Sequence, residues 1–366
     1  MLVPNWSLLD VSLAEPASSA GPDWRALAAC SLAPSGPNAP EQMSPVMAAY
    51  PALRLATVRA QGKLLLALPL ASATLPLPMH RSATTPVSYY GLPHLDPHMA
   101  GPALGALLRH LGTPLLLHSV PVGGPLWKAL ELAAGPFAAV SRWKRASLAI
   151  SGAYTEWFDS NFKRERRKEY RRLAARLAEQ GAYEAHSFAP GDDSANWAAD
   201  FLALESAGWK GRGRTALAAD PHAAATLRTI FVSLAQAGKL RVWKLSLSGK
   251  PIAMLYAIVE QGEAWLGKIA FDESFARFSP GVLLILHATE QLFAEGITHA
   301  DSCAVPDHPM INHLWRDRLA VADILVAAPG SSALRFAATL HAERLRRSLR
   351  ATARRLRNRI TGRPNT

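Results

Sequence analysis

Two stretches of this chain, 187 residues apart, spell the same strand-turn-strand word. Leu53-Arg54 opens the first and Gly62-Lys63 turns it. Leu240-Arg241 opens the second and Gly249-Lys250 turns it, with eight positions from Arg to Gly in both. Leu53 to Val58 and Lys63 to Leu70 read as strands around Gln61-Gly62, and Leu240 to Leu247 and Pro251 to Val259 as strands around Ser248-Gly249. A Gly in such a two-residue loop supplies the positive φ that a tight hairpin needs. Each hairpin is followed by a Pro- and Gly-containing stretch, an apolar helix stopped by Gly, and another strand-like segment. The helices are Pro102 to Leu111 before Gly112 and Gly281 to Glu295 before Gly296, and the two closing glycines lie 184 positions apart. The matching order of elements, more than any one motif, argues for a tandem duplication of an α/β unit.

A chain of 366 residues exceeds what one hydrophobic core comfortably organises, which fits two domains. With 49% hydrophobic and 19% charged residues it has the apolar content to bury them. The expected organisation is a loosely packed, Ala/Pro/Ser/Gly-rich lead-in over 1–45, a first half over 46–157, a basic connecting helix over 158–181, a second half over 182–330 and a basic tail over 331–366. Cys30 and Cys303 fall in different halves and form neither a disulfide framework nor a metal-ligand spacing, so no metal is expected. Met1 to Pro16 has no charged region followed by an apolar run, and no segment reaches the roughly 18 apolar residues of a span. A cytoplasmic protein, or one peripheral to the inner membrane, is expected.

Charge is unevenly spread. Nine arginines lie between Arg344 and Arg363, and setting them aside reduces the formal net charge from +12 to about +3. From Ser332 onward the chain reads as one helix, with Leu345, Leu349, Leu356 and Ile360 near one side and arginines over the rest. That pattern suits anionic lipid or RNA phosphate, or a solubilising tail. A second basic helix is expected from about Asn161 to Gln180, capped by Asp159 or Ser160 and stopped at Gly181. Phe158, Phe162, Tyr170, Leu173 and Leu177 would form its apolar stripe, opposite Lys163, Arg164, Arg166, Arg167, Lys168, Arg171, Arg172 and Arg176.

The most informative run is a strand from Ala264 to Phe271, a loop from Asp272 to Ser279, and Pro280-Gly281 opening a helix. Proline suits a first helical turn, whose amides point outward with about half a positive charge from the helix dipole. A diphosphate can sit at such a turn. Gly281 would admit it close to the backbone, and Ser279 would cap the helix or touch phosphate.

Four features together give a resemblance: the basic helix ending Leu177-x-x-x-Gly181; Glu205-x-x-x-Trp209-Lys210-Gly211; Phe278-Ser279-Pro280-Gly281 after a long hairpin; and Asp301 ending a strand before Asp307-His308 and Trp315. The chain resembles the CelD/BcsL-type acyltransferases of the GNAT superfamily, associated with cellulose and exopolysaccharide synthesis, over roughly Tyr50 to Pro329. The resemblance implies an α/β (α+β) fold of two tandem GNAT-like domains, each a mixed, mostly antiparallel sheet flanked by helices. It implies an acyltransferase taking an acyl group from acyl-CoA to an amino or hydroxyl group of a sugar or precursor. The loop lacks the Gln/Arg-x-x-Gly-x-Gly/Ala pattern of typical acetyl-CoA-binding members. The related Fem-type transferases also use two such halves, with an aminoacyl-tRNA donor, so the donor stays open between acyl-CoA and charged tRNA. A non-catalytic module docking a membrane synthase complex through the tail is a third reading.

Acyl transfer requires a held donor, a base and stabilisation of an oxyanion. Ser279, Pro280, Gly281 and Val282 are the candidate diphosphate contacts, and Lys268, Ile269 and Ala270, within the strand Trp265 to Ala270, the candidate contacts for the carrier's arm. Candidate bases are His308, whose ordinary pKa lies nearest working pH, and Asp301, Asp307, Asp272 and Glu205, whose carboxylates would need burial to raise theirs. Trp209 and Trp315 are candidate pocket walls, and Lys210 and Arg212 candidate phosphate contacts. The first half, with His94 and His98 but no Ser-Pro-Gly run near Leu95 to Gly101, is expected to have lost donor binding.

Overall fold

A computed structural model describes residues 9–15, 21–88, 90–133, 135–208 and 216–361. In chain order come β1 (Leu9–Ala14), α1 (Pro22–Ala29), α2 (Pro40–Ala49), β2 (Arg54–Ala60), β3 (Lys63–Ala73), β4 (Met79–Ser82) and β5 (His94–Leu95). Next are α3 (Ala100–Leu111), β6 (Leu115–Pro121), α4 (Pro125–Ala133), β7 (Phe137–Ala149), α5 (Tyr154–Asn161), α6 (Arg164–Ala178) and β8 (Tyr183–Ser187). Then follow α7 (Ser194–Ala207), α8 (Pro221–Gln236), β9 (Leu240–Leu247), β10 (Lys250–Glu260) and β11 (Glu263–Phe271). The last are α9 (Pro280–Ala294), β12 (His299–Asp301), α10 (Ile311–Leu314), β13 (Asp317–Val326) and α11 (Ala333–Thr361). The architecture is mixed α/β, with mostly antiparallel strands flanked by helices.

The chain forms two compact units, one of residues 1–143 with 320–366 and one of 144–319. The divisions fall inside β7 and β13, not at the helix boundaries expected near 157 and 181. A continuous strand carries no Pro, Gly or charge signal of a border, which is why composition does not reveal it.

In the first unit the strand order is β1-β2-β3-β4-β6-β13, with β5 on β3. Its hairpin turns at Gln61 (φ 50) and Gly62 (φ 81), and the second unit's matching hairpin turns at Ser248 (φ 49) and Gly249 (φ 77), so the repeated word folds alike in both. The expectation of a loose lead-in is corrected over 21–45. Pro22 and Pro40 start helices there, and Trp24, Leu27, Met43, Val46 and Met47 are buried. Proline in a first helical turn looks like a loop in composition yet favours the helix.

The expected C-terminal helix is present as α11, and its first half packs through Thr339, Leu340 and Glu343. Glu343 is fully buried and accepts hydrogen bonds from Arg346 (2.6 Å), Arg347 (2.8 Å) and Arg81 (3.2 Å). Arg347 also pairs with Asp323 of β13 and donates to Ser141 Oγ. Burial alone would raise the Glu343 pKa, but the hydrogen bonds from Arg346 and Arg347 and the charge of Arg81 outweigh it and hold it at about 2.

The second unit orders its strands as the end of β7, then β12-β11-β10-β9-β8, with β11 and β12 its parallel pair. Side-chain alternation along β10 sends Leu255 into the core shared with Leu284 of α9 and Tyr256 to Phe201 of α7 and Phe231 of α8. The basic helix expected over Asn161 to Gln180 is present as α6, starting at Arg164 after a separate helix, α5, with Phe162 extended between them (φ −125, ψ 136). Phe162 packs between Phe158 and Tyr170, at ring centroids of 5.3 Å from each. Asp159 and Ser160 consequently lie inside α5 and do not cap α6.

Replacing Glu343 by Gln leaves three guanidiniums around a neutral amide, and breaking a buried pair of this kind costs about 3 kcal/mol. The Glu343 pKa is lower in the folded protein, so its stabilisation is complete above the ordinary value of 4.5 and fades as pH falls towards about 2. Thermal unfolding of Glu343→Gln should therefore show a Tm deficit at neutral pH that narrows progressively below pH 4.5; an equal Tm at pH 7 would mean the cluster adds nothing.

Candidate functional site

β11 and β12 are paired through Glu263↔His299, Ala264↔Ala300 and Trp265↔Asp301. There β12 ends, and the chain turns away at Cys303, which adopts φ 51. Asp301 anchors that end. Its carboxylate, 1% exposed, is 2.6 Å from the buried guanidinium of Arg145 on β7 and accepts the Cys303 amide at 2.9 Å. Beyond Trp265 the two chains diverge around a slot of about 190 Å³. Leu266 to Ile269 line one side, Ser302, Ala304 and His308 the other, and Ile285 of α9 closes on it as well.

The register of β11 shifts within this stretch. Leu255 faces Ile269 and Ala257 faces Leu266, so Gly267 and Lys268 together oppose Tyr256, a β-bulge that re-aims the backbone beside the slot. Glycine is required there because a Cβ on Gly267 would lie 2.1 Å from the Tyr256 ring. Burial pushes the Tyr256 phenol well above its usual pKa, and the Glu205 carboxylate adds to this. Glu205, on the last turn of α7, is buried and accepts the Leu217 amide at 2.8 Å through Oε2.

A groove of about 530 Å³ lies one turn earlier along α9, where Val282 lines it as Ile285 lines the slot. Ser279 is in the left-handed region (φ 52), and its carbonyl accepts the Val282 and Leu283 amides at 3.0 and 3.2 Å. Exposed cations from separate segments border the groove: Lys163 and Arg166, Arg277 over the Phe278 ring at 4.7 Å, and Arg316. Glu169, also on its wall, is held by Arg172 through two bonds of 2.8 Å. A helix N-terminus ringed by guanidiniums suits a polyanion.

The sequence-selected residues separate into distinct environments. Val282 and Ser279 reach the groove, Lys268, Ile269 and His308 the slot, and Ala270 is buried beside it, paired with Met254. Pro280 begins α9 and is buried. The space above Gly281 is filled by protein, since a Cβ there would meet Met310 Sδ at 2.9 Å and Phe271 at 3.4 Å. Ser279 makes no side-chain cap.

Asp272 accepts the Ser274 amide (2.9 Å) and hydroxyl (2.7 Å), capping the turn after β11, and Asp307 is exposed. The reading of Trp315 as a pocket wall is corrected: it is 1% exposed in the core, with its indole N–H on Thr289 Oγ1 at 3.0 Å. Trp209, Lys210 and Arg212 lie outside the described residues. His308 Nδ1 accepts the Met310 and Ile311 amides at 3.3 and 3.5 Å, so the neutral ring carries its hydrogen on Nε2. Arg277, Arg316, Tyr256 and the bulge escaped sequence reasoning. A lone glycine at 267 inside a strand was the available signal for the bulge.

The first unit repeats the geometry in closed form. β4 and β6 are parallel at His80↔Leu115 and Arg81↔Leu116, but past them Gly91 donates its amide to His118 O at 3.2 Å. A Cβ on Gly91 would lie 1.9 Å from Ser82 Oγ, so the chain itself fills the gap. His94 is buried, with Nδ1 accepting from Trp24, and the His98 amide binds Asp96. Among the described residues no His/Cys/Asp/Glu group is arranged to hold a metal, and no helix is long and apolar enough to cross a membrane.

Residues 164–308, which include most of the slot and part of the groove, match the family model of the acetyltransferase (GNAT) domain. The chain is similar in fold to the C-terminal domain (DUF2156) of a putative lysylphosphatidylglycerol synthetase from Agrobacterium fabrum, at 11% identity and TM-score 0.53, covering 87% of this chain and 94% of that one. It is also similar to FemX (11% identity, TM-score 0.48, covering 75% and 87%). A third is a tandem GNAT protein from the clavulanic acid biosynthesis pathway (16% identity, TM-score 0.46, covering 88% and 99%). No curated protein matches. The domain match supports an acyltransferase.

Gly267→Ala forces the Tyr256 ring out of its place against Phe201 and Phe231, and overpacking of this kind costs about 1–3 kcal/mol or more. The variant should unfold several degrees lower by calorimetry, whereas an unchanged Tm would show that the bulge tolerates a side chain.

Proposed function

We propose that residues 144–319 form an N- or O-acyltransferase that holds acyl-CoA with its diphosphate in the cationic groove and its thioester arm in the slot between β11 and β12. The single observation that carries this reading is the divergence of the two strands immediately beside the start of α9, which sets an extended slot end to end with an anion-binding turn. The acceptor approaches from the α7 and α8 face, where Glu205 and Tyr256 lie. Its amine or hydroxyl attacks the thioester carbonyl and Glu205 takes the proton. His308, a donor through Nε2, hydrogen-bonds the developing charge, and the departing thiolate takes its proton from solvent, to which Glu205 returns the one it accepted. Asp301, engaged by Arg145, positions the end of β12 and is not the base in this scheme; Asp272 and Asp307 cap and face solvent. The first unit, with its gap filled by Gly91, takes no donor. The resemblance to CelD/BcsL-type proteins makes a sugar or sugar precursor of polysaccharide or cell-envelope synthesis the proposed acceptor.

A second reading is transfer of an aminoacyl group from charged tRNA. What favours it is that α6 exposes Arg164, Lys168, Arg171 and Arg172 beyond the groove, more cation than a diphosphate needs.

Isothermal titration should detect micromolar binding of acetyl-CoA or a longer acyl-CoA, weakened at least about tenfold by the double change Arg166→Glu and Arg277→Glu. Failure of every acyl-CoA to bind, together with tight, steeply salt-dependent tRNA retention on filters that is lost on neutralising Arg166, Arg167, Arg171 and Arg172, would replace the first reading by the second.

A further inference from the structure

The second half of α11 lines neither the slot nor the groove. From Ser348 to Arg357 every residue is exposed, and with Leu345 just before it this half shows three large leucines that globular packing normally covers: Leu345 at 60%, Leu349 at 62% and Leu356 at 53%. At 3.6 residues per turn these leucines fall within about 40° of one another on the helix. Arg355 flanks the stripe on one side and Arg350 on the other, with Arg354 behind. Among the described residues none of these three arginines makes an ion pair, unlike Arg346 and Arg347 one or two turns earlier, which are committed to Glu343 and Asp323. The helix thus changes character along its length, from a half bolted to the first unit by a buried carboxylate to a half that leaves both apolar and cationic groups in water.

We infer that the exposed half of α11 is a docking surface for an anionic lipid bilayer, lying in the interface with Leu345, Leu349 and Leu356 among the acyl chains and Arg350 and Arg355 at the lipid phosphates. The combination of groups selects this occupant. RNA would satisfy the guanidiniums but leave the leucine stripe in water. A second copy would cover the leucines but bring two like sets of arginines together. An anionic membrane surface takes both kinds of group at once, and long arginine side chains reach from an interfacial helix to headgroup phosphate. The inference does not depend on the donor site.

Flotation of the full chain with phosphatidylglycerol vesicles and with pure phosphatidylcholine vesicles tests it. Binding to the anionic vesicles alone is expected. Leu349→Glu with Leu356→Glu should abolish it, a loss of about a hundredfold, without changing circular dichroism, since both positions are exposed. Arg350→Gln with Arg355→Gln should weaken it about fivefold per charge. Equal binding to both vesicle types, or full retention of the leucine variant on anionic vesicles, would overturn the inference. So would sedimentation showing a dimer that the leucine variant dissociates, or RNA binding that the leucine variant leaves intact while vesicles fail to bind.

Discussion

The second unit's candidate site depends on a strand pair that stops early. Parallel strands gain most when their hydrogen bonds continue, yet β11 and β12 pair over three residues and then separate. The separation is stabilised at its root by Arg145 and Asp301, whose desolvation is offset by a short contact and the Cys303 amide. It is sustained above by the bulge at Gly267 and Lys268, which turns the backbone where pairing would otherwise resume. A buried ion pair is a costly way to stabilise a sheet, but it has one geometry. A site that must hold an extended ligand between two strands needs an end point that does not slide, and a directional pair supplies this better than an apolar contact.

The two units show the same constraint resolved in opposite ways. Both contain a hairpin with a left-handed turn, a parallel pair and an apolar helix between the paired strands. In the second unit the gap stays open because the chain after β11 goes directly into a short 3₁₀ turn and then α9. In the first, the chain after β4 takes a longer path to α3 and lays Gly91 against Ser82 and His118. One glycine, small enough to lie against a serine side chain, is the difference between a slot and a filled core.

Much of the scaffold is legible from residue order alone. The Gly-Lys turns, the helices closing at Gly112 and Gly296, and Pro280 at the start of α9 are local signals, decided within a few residues by backbone sterics. What eludes sequence reasoning is long-range. The basic helix starts at Arg164, later than its charge pattern suggests, because a cluster of rings from two helices holds Phe162 extended before it. Trp315 reads as a pocket wall by its polar neighbours, but Thr289, 26 residues earlier, satisfies its indole inside the core. The 21–49 segment has the composition of a loop and the burial of a domain. At the site, position 279 is recognisable by its motif, whereas Arg277 and Arg316 matter only because the start of α6 brings Lys163 and Arg166 to the same groove.

That convergence bears on the missing glycine-rich signature. A loop of several glycines binds a diphosphate with backbone amides, which are fixed, close and indifferent to salt. Here the carbonyl of Ser279 occupies the Val282 and Leu283 amides, and protein fills the space above Gly281, so fewer backbone donors remain for an anion. Guanidiniums from three segments stand in their place, acting through charge over a longer range and with side chains that adjust. A site built this way discriminates less by the shape of the diphosphate and more by the total charge and reach of its carrier. Both proposed donors carry the phosphate charge such a groove would select, and ionic strength, which screens side-chain charge more than backbone hydrogen bonds, is the variable that separates them.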